Sequence, residues 1–222
     1  MIRLRSTRRP DEVSTRRVEA FSDGVFAIAA TILVLDLTTS DFGTISSSAD
    51  LWHAIVGNSS VVISFLISFL LICLLWMLHS ASFEYVERVD STALWLNTGR
   101  LLAVVLIPFT TTIANQYEDV ALGRMALPIN FLFALIMSAA QVWYLTSPKR
   151  SLTEEGYDER RRRDSRSGAV SALSVGVVVV AASPWLGSIA FAGFLFTPLV
   201  DRLARRVLGG VSPAEEQPGA RG

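Results

Sequence analysis

Asp23 is the residue whose place in the sequence most needs a chemical reason. It lies six residues, about 9 Å of helix rise, beyond Arg17, inside an apolar run from Glu19 to Leu37. An ionisable side chain that far into a membrane span costs at least roughly 2.5 to 3.5 kcal/mol, so the carboxylate needs donors. Trp76 and His79, three residues apart at the end of a second apolar run, supply an indole N–H and an imidazole, and Arg17 supplies a guanidinium. These types predict an interhelical cluster of Arg17, Asp23, Trp76 and His79. Trp76 reads equally well as an interfacial belt residue and His79 as a loop residue in water. At 100° per residue Phe21, Gly24, Ile28, Thr31 and Leu35 share one face of the first helix, while Asp23 points nearly opposite with Ala27, Ala30 and Val34. One face is therefore an apolar stripe interrupted by a hydroxyl, and the other is a packing face that carries the acid.

The remaining polar positions inside apolar runs read as structural. Ser60, Ser64 and Ser68 repeat every four residues and form a small-residue face for close helix approach. Pro108 frees a carbonyl in the third run, and Thr110, Thr111 and Thr112 place hydroxyls beside the gap. No Gly-rich phosphate loop, HExxH motif, plausible Ser-His-Asp set or TVGYG-like loop is present. With His53, His79 and one cysteine, Cys73, there is no intrachain disulfide, no Cys-based zinc site and little material for a metal centre or catalysis. The chain is expected to be no enzyme, to need no cofactor and to hold no metal.

The elements that must position these residues are membrane spans. Of 222 residues, 51% are hydrophobic and 18% charged, against about 25% charged in an ordinary soluble domain. Apolar runs near the spanning length of about 20 residues predict an all-α membrane protein with six transmembrane helices, at about 19–37, 54–78, 94–114, 125–146, 169–183 and 186–203. The last two come from dividing one long apolar stretch at the turn Ser183 to Ser188. A basic segment, 1–17, precedes the spans of the 18–206 unit, and a polar tail, 207–222, follows.

Twenty basic residues balance twenty acidic ones, so net charge predicts no nucleic-acid partner. Their distribution says more, because cytoplasmic loops carry the positive excess. With Arg88 and Arg100 taken as flanking the third span, all basic residues but Arg124 fall on one side, which places both termini in the cytoplasm. Asp36, Asp41, Asp50, Glu118 and Asp119 give the outer loops an acidic character suited to gathering cations. The arginine-rich loop after the fourth span, with Lys149, Arg150, Arg160 to Arg163 and Arg166, reads as a topology signal in contact with lipid headgroups.

The first span, RVEAFSDGVFAIAATILVLDL, resembles the signature of the transmembrane protein 175 family of potassium channels. Its hallmark is Arg, three residues, then Phe-Ser-Asp, matched by Arg17, Phe21, Ser22 and Asp23. Two further stretches agree: Trp76, His79 and Phe83 in W-x-x-H-x-x-x-F, and LNTGRLLAVVLIPFTT with Pro108, Phe109 and Thr110. The family often has a second His after the Trp-x-x-His, where Ser80 stands here. The resemblance implies a potassium-selective cation channel of the prokaryotic kind. That kind has one six-helix unit per chain, four chains forming a homotetramer in the cell membrane, and a pore lined by the first helix. Carried over by position, the main hydrophobic constriction falls on Ile28, the pore threonine on Thr31 and a second apolar ring on Leu35. Arg17, Phe21, Ser22, Asp23, Trp76 and His79 are similar to the network that holds the first helix against the second. Membrane lipids and K⁺ are the implied partners. The competing readings are a proton leak pathway or proton-coupled transporter using Asp23 and His79, and a non-conducting membrane scaffold.

Overall fold

The computed structural model describes residues 13–37, 43–150, 152–154, 157–197, 200 and 202. Most of the basic leader 1–17, the tail 207–222 and Asp41 lie outside them. Among the described residues seven α-helices carry the fold: α1 Thr15–Ile32, α2 Ser48–Gly57, α3 Ser59–Phe83, α4 Ser91–Val105, α5 Ile107–Gln116, α6 Ala121–Leu145 and α7 Glu159–Leu186. Two-residue strands β1 Val13–Ser14 and β2 Arg88–Val89 pair antiparallel, Val13 opposite Val89. Among the described residues five helical segments are long and apolar enough to cross a membrane: Thr15–Leu35, Ser59–Phe83, Ser91–Gln116, Ala121–Leu145 and Glu159–Phe194.

The second crossing lies five residues later than the sequence predicts. Nothing between Leu78 and Phe83 breaks a helix, so α3 runs on to Phe83, and α2 separates from it at Asn58. His79 is thereby inside a helix and 1% exposed, not a loop residue in water. The third crossing is broken where Pro108 predicts. α4 ends at Leu106, α5 restarts, and the Thr110 hydroxyl donates to the carbonyls of Leu106 and Ile107. Thr111 donates to Ile107 and Thr112 to Pro108, and Asn130 of α6 donates to the carbonyl of Ala103 at 2.9 Å. These hydroxyls and the Asn130 amide add side-chain donors to backbone oxygens around the break, where no water is at hand in an apolar medium. The serine face of α3 is used over its inner part: Ser68 is buried and bonds the Thr111 hydroxyl at 2.7 Å, Ser64 is buried, and Ser60 is exposed.

The last apolar stretch is organised differently from two equal spans. Asp158 caps α7 by accepting from the Arg161 amide, so the arginine run forms the helix's first turns instead of a loop. From Ser167 to Leu186 remain about 20 residues, the length of one crossing. Gly187, at φ +55°, ends α7 in a conformation that favours glycine, and Gly187–Phe196 continues as a 3₁₀ helix. This segment doubles back: Gly193 lies against Val179 and Val175, while Phe191 and Phe194 meet the Phe131 ring of α6 edge-on. Over its described residues the return leg packs on α6 and α7.

Two apolar clusters hold the bundle. The larger joins Phe26, Ala29 and Leu33 of α1 to Leu71, Ile72 and Leu75 of α3, then to α4 through α7. The smaller gathers Val18, Phe83, Val86, Val89, Ala93, Leu145 and Leu152. It lies where the start of α1, the α3–α4 connection and the α6–α7 connection meet. Val86 also bridges to Thr153, and the Thr15 hydroxyl donates to the Glu87 carbonyl. These three segments therefore share one end of the bundle, as the charge distribution predicts. At the other end Arg124 donates to the carbonyls of Pro184 and Glu118, at 2.6 and 2.7 Å. This basic residue thus serves carbonyls at the end of α7 and in the α5–α6 connection.

Candidate functional site

The face of α1 turned into the bundle carries Val18, Ser22, Phe26 and Ala29, with Leu33 following; the opposite half of the helix is open. On the open half stand Phe21, Ile28 and Leu35, exposed by 67%, 60% and 75%, together with Gly24 and Thr31. The whole predicted stripe lies there, with Phe21 on it and apart from the polar network. Ala27 and Val34 are exposed as well. The packing face is therefore rotated from the Asp23, Ala27, Ala30, Val34 line read from the wheel. Ser22, Phe26 and Leu33 supply contacts that alanines on the other line could not reach. The Thr31 hydroxyl donates to the carbonyl of Ile28 at 2.9 Å, which leaves its oxygen lone pairs directed away from the helix.

Asp23 sits at the edge of the open half, exposed within the protomer, and accepts a hydrogen bond from the Trp76 indole at 2.9 Å. Trp76 is itself 44% exposed. His79 does not join this pair. One turn along α3 it faces the interior, where its Nδ1 meets the Arg100 guanidinium. Arg100 also donates to Asn97, and the Asn97 amide donates to the Ser22 hydroxyl at 3.0 Å. Ser22 in turn donates to the carbonyl of Val18. Because Nδ1 accepts from a guanidinium, the imidazole is neutral with its proton on Nε2. Phe26 stacks on His79 at 5.7 Å between ring centroids, and Phe83 covers it at 4.6 Å. Arg17 is exposed at the start of α1 and contributes to neither set of bonds.

Arg100 corrects the charge reading. It does not flank a span but lies nine residues into α4, 0% exposed. Its Nε and Nη1, and His79 Nε2, make no hydrogen bond. A guanidinium in such surroundings is a costly feature, and it ties α1, α3 and α4 at one point. The sequence held the signal: Asn97 and Arg100, three apart on one face in an apolar run, are as anomalous as Asp23.

The match to known proteins covers this part of the chain. The family model described as "Endosomal/lysosomal potassium channel TMEM175" matches residues 17–108. A protein named as a potassium channel from Streptomyces collinus is 37% identical over 134 residues, covering 59% of this chain and 64% of its own length. Another so named, from Chamaesiphon minutus, is 36% identical over 114 residues, covering 49% and 53%. The Homo sapiens protein named endosomal/lysosomal proton channel TMEM175 is 25% identical over 128 residues, 58% of this chain and 24% of its own length. The chain thus matches between half and two thirds of the length of these bacterial relatives. Among solved structures, a lysosomal potassium-selective channel TMEM175 homolog from Chamaesiphon minutus superposes with a TM-score of 0.70 at 24% identity, over 86% of this chain and 97% of that one. The potassium channel MtTMEM175 gives 0.61 at 18%, over 92% and 99%. Both show the fold to be shared along nearly the whole described chain.

Proposed function

From the premise that this chain is related to the TMEM175 family, with the kinship concentrated in residues 17–108, we propose that it is one protomer of a potassium-selective channel. Four copies surround a central axis in the cell membrane of a prokaryote, with the basic end of each bundle in the cytoplasm. The observation that carries this reading is the open half of α1. Gly24 and Ala27 there are small enough for neighbouring helices to approach closely, and Ile28, Thr31 and Leu35 lie beyond them on the same side. Facing a common axis, Ile28 and Leu35 form apolar collars that close by dewetting when narrow. Between them Thr31 offers a ring of oxygens able to replace water around K⁺ more readily than around the more strongly hydrated Na⁺. Asp23 with Trp76, and Ser22 with Asn97, hold the inner half of the pore helix in place.

Electrogenic ⁸⁶Rb⁺ uptake into potassium-loaded liposomes containing the purified chain tests this. The expected outcome is uptake abolished by dissipating the K⁺ gradient and reduced when Na⁺ replaces K⁺. Absence of cation flux from a crosslinked fourfold assembly sinks the reading. The name of the animal relatives favours one second reading, proton conduction, which the same liposomes report through an internal pH dye.

A further inference from the structure

At the basic end of the bundle the first turns of α7 stand over a cavity of about 190 Å³. That is larger than the roughly 150 Å³ that admits a benzene-sized apolar guest. Its floor is apolar, with Leu78 of α3, Leu135 and Val142 of α6 and Ala172 of α7, and its rim is polar, with Tyr85, Thr146, Tyr157 and Ser165. Small residues keep it open: a Cβ added at Gly168 would meet nothing within 4 Å.

Cations stand at the mouth. The Arg161 guanidinium lies over the Tyr85 ring at 4.7 Å, and Arg166 donates to the Thr146 hydroxyl at 3.1 Å and to its carbonyl. Residues Glu159 to Arg166 carry five arginines against two acids, and Asp164 on the rim already has an interaction partner within the protein. The tyrosine ring pair, Tyr85 and Tyr157 at 5.8 Å, marks the level at which aromatic side chains meet headgroups. An apolar hole below that level with a cationic mouth fits a ligand with an alkyl body and an anionic head.

We propose that this cavity is a binding site for an acidic membrane phospholipid. A segment of one acyl chain occupies the space between α3, α6 and α7, and the phosphate is held by Arg161 and Arg166. The occupied site clamps α7 to the same stretch of α3 that carries Trp76 and His79. The inference rests on the membrane-spanning reading of the chain and not on conduction, and it is read by binding alone.

Thermal unfolding of the detergent-solubilised full chain, titrated with short-chain phosphatidylglycerol, phosphatidylcholine or glycerol phosphate, tests it. Phosphatidylglycerol should raise Tm, phosphatidylcholine should need about 25-fold more for the same shift, and glycerol phosphate should give none. A double Arg161→Gln, Arg166→Gln variant should lose that roughly 25-fold advantage, the effect of two arginines near a headgroup. Gly168→Phe, or Ala169→Leu as a smaller filler should the first not fold, should remove the phosphatidylglycerol shift itself. An undiminished shift in a filled cavity, an equal effect of the two lipids, or an equal effect of glycerol phosphate overturns the proposal.

Discussion

The two halves of α1 are built on different principles. The inner half is fastened by polar contacts to three neighbours: β1 pairs with β2, Thr15 bonds the Glu87 carbonyl, Ser22 accepts from Asn97, and Asp23 accepts from Trp76. The outer half offers its neighbours only apolar packing through Ala29 and Leu33, and its one side-chain hydrogen bond, from Thr31 to Ile28, stays within the helix. Polar bonds between helices fix register and rotation. Apolar packing is non-directional and fixes neither so sharply. The proposed collar at Ile28 and Leu35 belongs to the half held by apolar packing, and the polar anchors to the other half.

The most damaging change should be the one that removes the hub of the fastened half. Arg100→Ala leaves His79 Nδ1 and Asn97 Oδ1 without their donor and opens a void in a fully buried site. Two buried acceptors left without a donor cost about 1 to 3 kcal/mol each, and the void adds to that, enough to abolish a folded, assembled chain on size exclusion. Arg100→Met retains the volume and removes the charge, so it should recover part of that loss. An Arg100→Ala chain with unchanged Tm would break the contrast between the halves.

Next in size is the pair at the edge. A double-mutant cycle with Trp76→Phe and Asp23→Asn should give a coupling of about 0.5 to 1 kcal/mol, modest because both side chains are exposed in the protomer. A coupling indistinguishable from zero in the assembled protein assigns the anchoring wholly to the Ser22, Asn97 and Arg100 set.

Smaller still in stability is Ile28→Ala. An exposed side chain truncated on the open face should change Tm by the equivalent of no more than about 0.5 kcal/mol, while ⁸⁶Rb⁺ flux rises and discrimination against Na⁺ weakens. A large loss of stability with unchanged flux would place Ile28 in a packing interface instead of a collar.

What could be read in the sequence follows the same division. Membrane crossings were legible because lipid allows little but apolar runs of a set length, and the broken third crossing because proline has a fixed geometric effect. Asp23 was legible as an anomaly, and Trp76 as one of three donors placed near it, the one the structure pairs with it. The rotation of α1 was not, since Asp23 and Ser22 are adjacent and only the neighbouring helices decide which of them faces inward. His79 was placed near Asp23 by proximity along α3, whereas the free choice of partner went to Arg100, a residue counted as a surface charge. The turn that starts the return leg was legible in Ser183 to Ser188, whereas hydropathy could not tell that the leg would begin as a 3₁₀ helix at Gly187.

The smallest effect concerns the outer end, where α2 lies with none of its residues buried. Its start is secured by a reciprocal pair: Ser47 accepts from the Asp50 amide, and the Asp50 carboxylate accepts from the Ser46 amide. The Ser47 hydroxyl first and then the Ser46 amide, both hydrogen-bonded to the carboxylate, hold the Asp50 carboxyl below the usual carboxylate range. A carboxyl whose folded value is depressed contributes stability above its unfolded value, about 3.9, and loses that contribution as pH falls through the folded value. Hydrogen exchange of the α2 amides should therefore be flat from pH 7 down to about pH 5, after correction for intrinsic rates, and should lose protection only below about pH 4. In Asp50→Asn the acid step should vanish while α1 is unaffected. Loss of protection in α1 together with α2 would mean that the half of α1 carrying Thr31 leans on α2 as well, and the contrast between the two halves would fail.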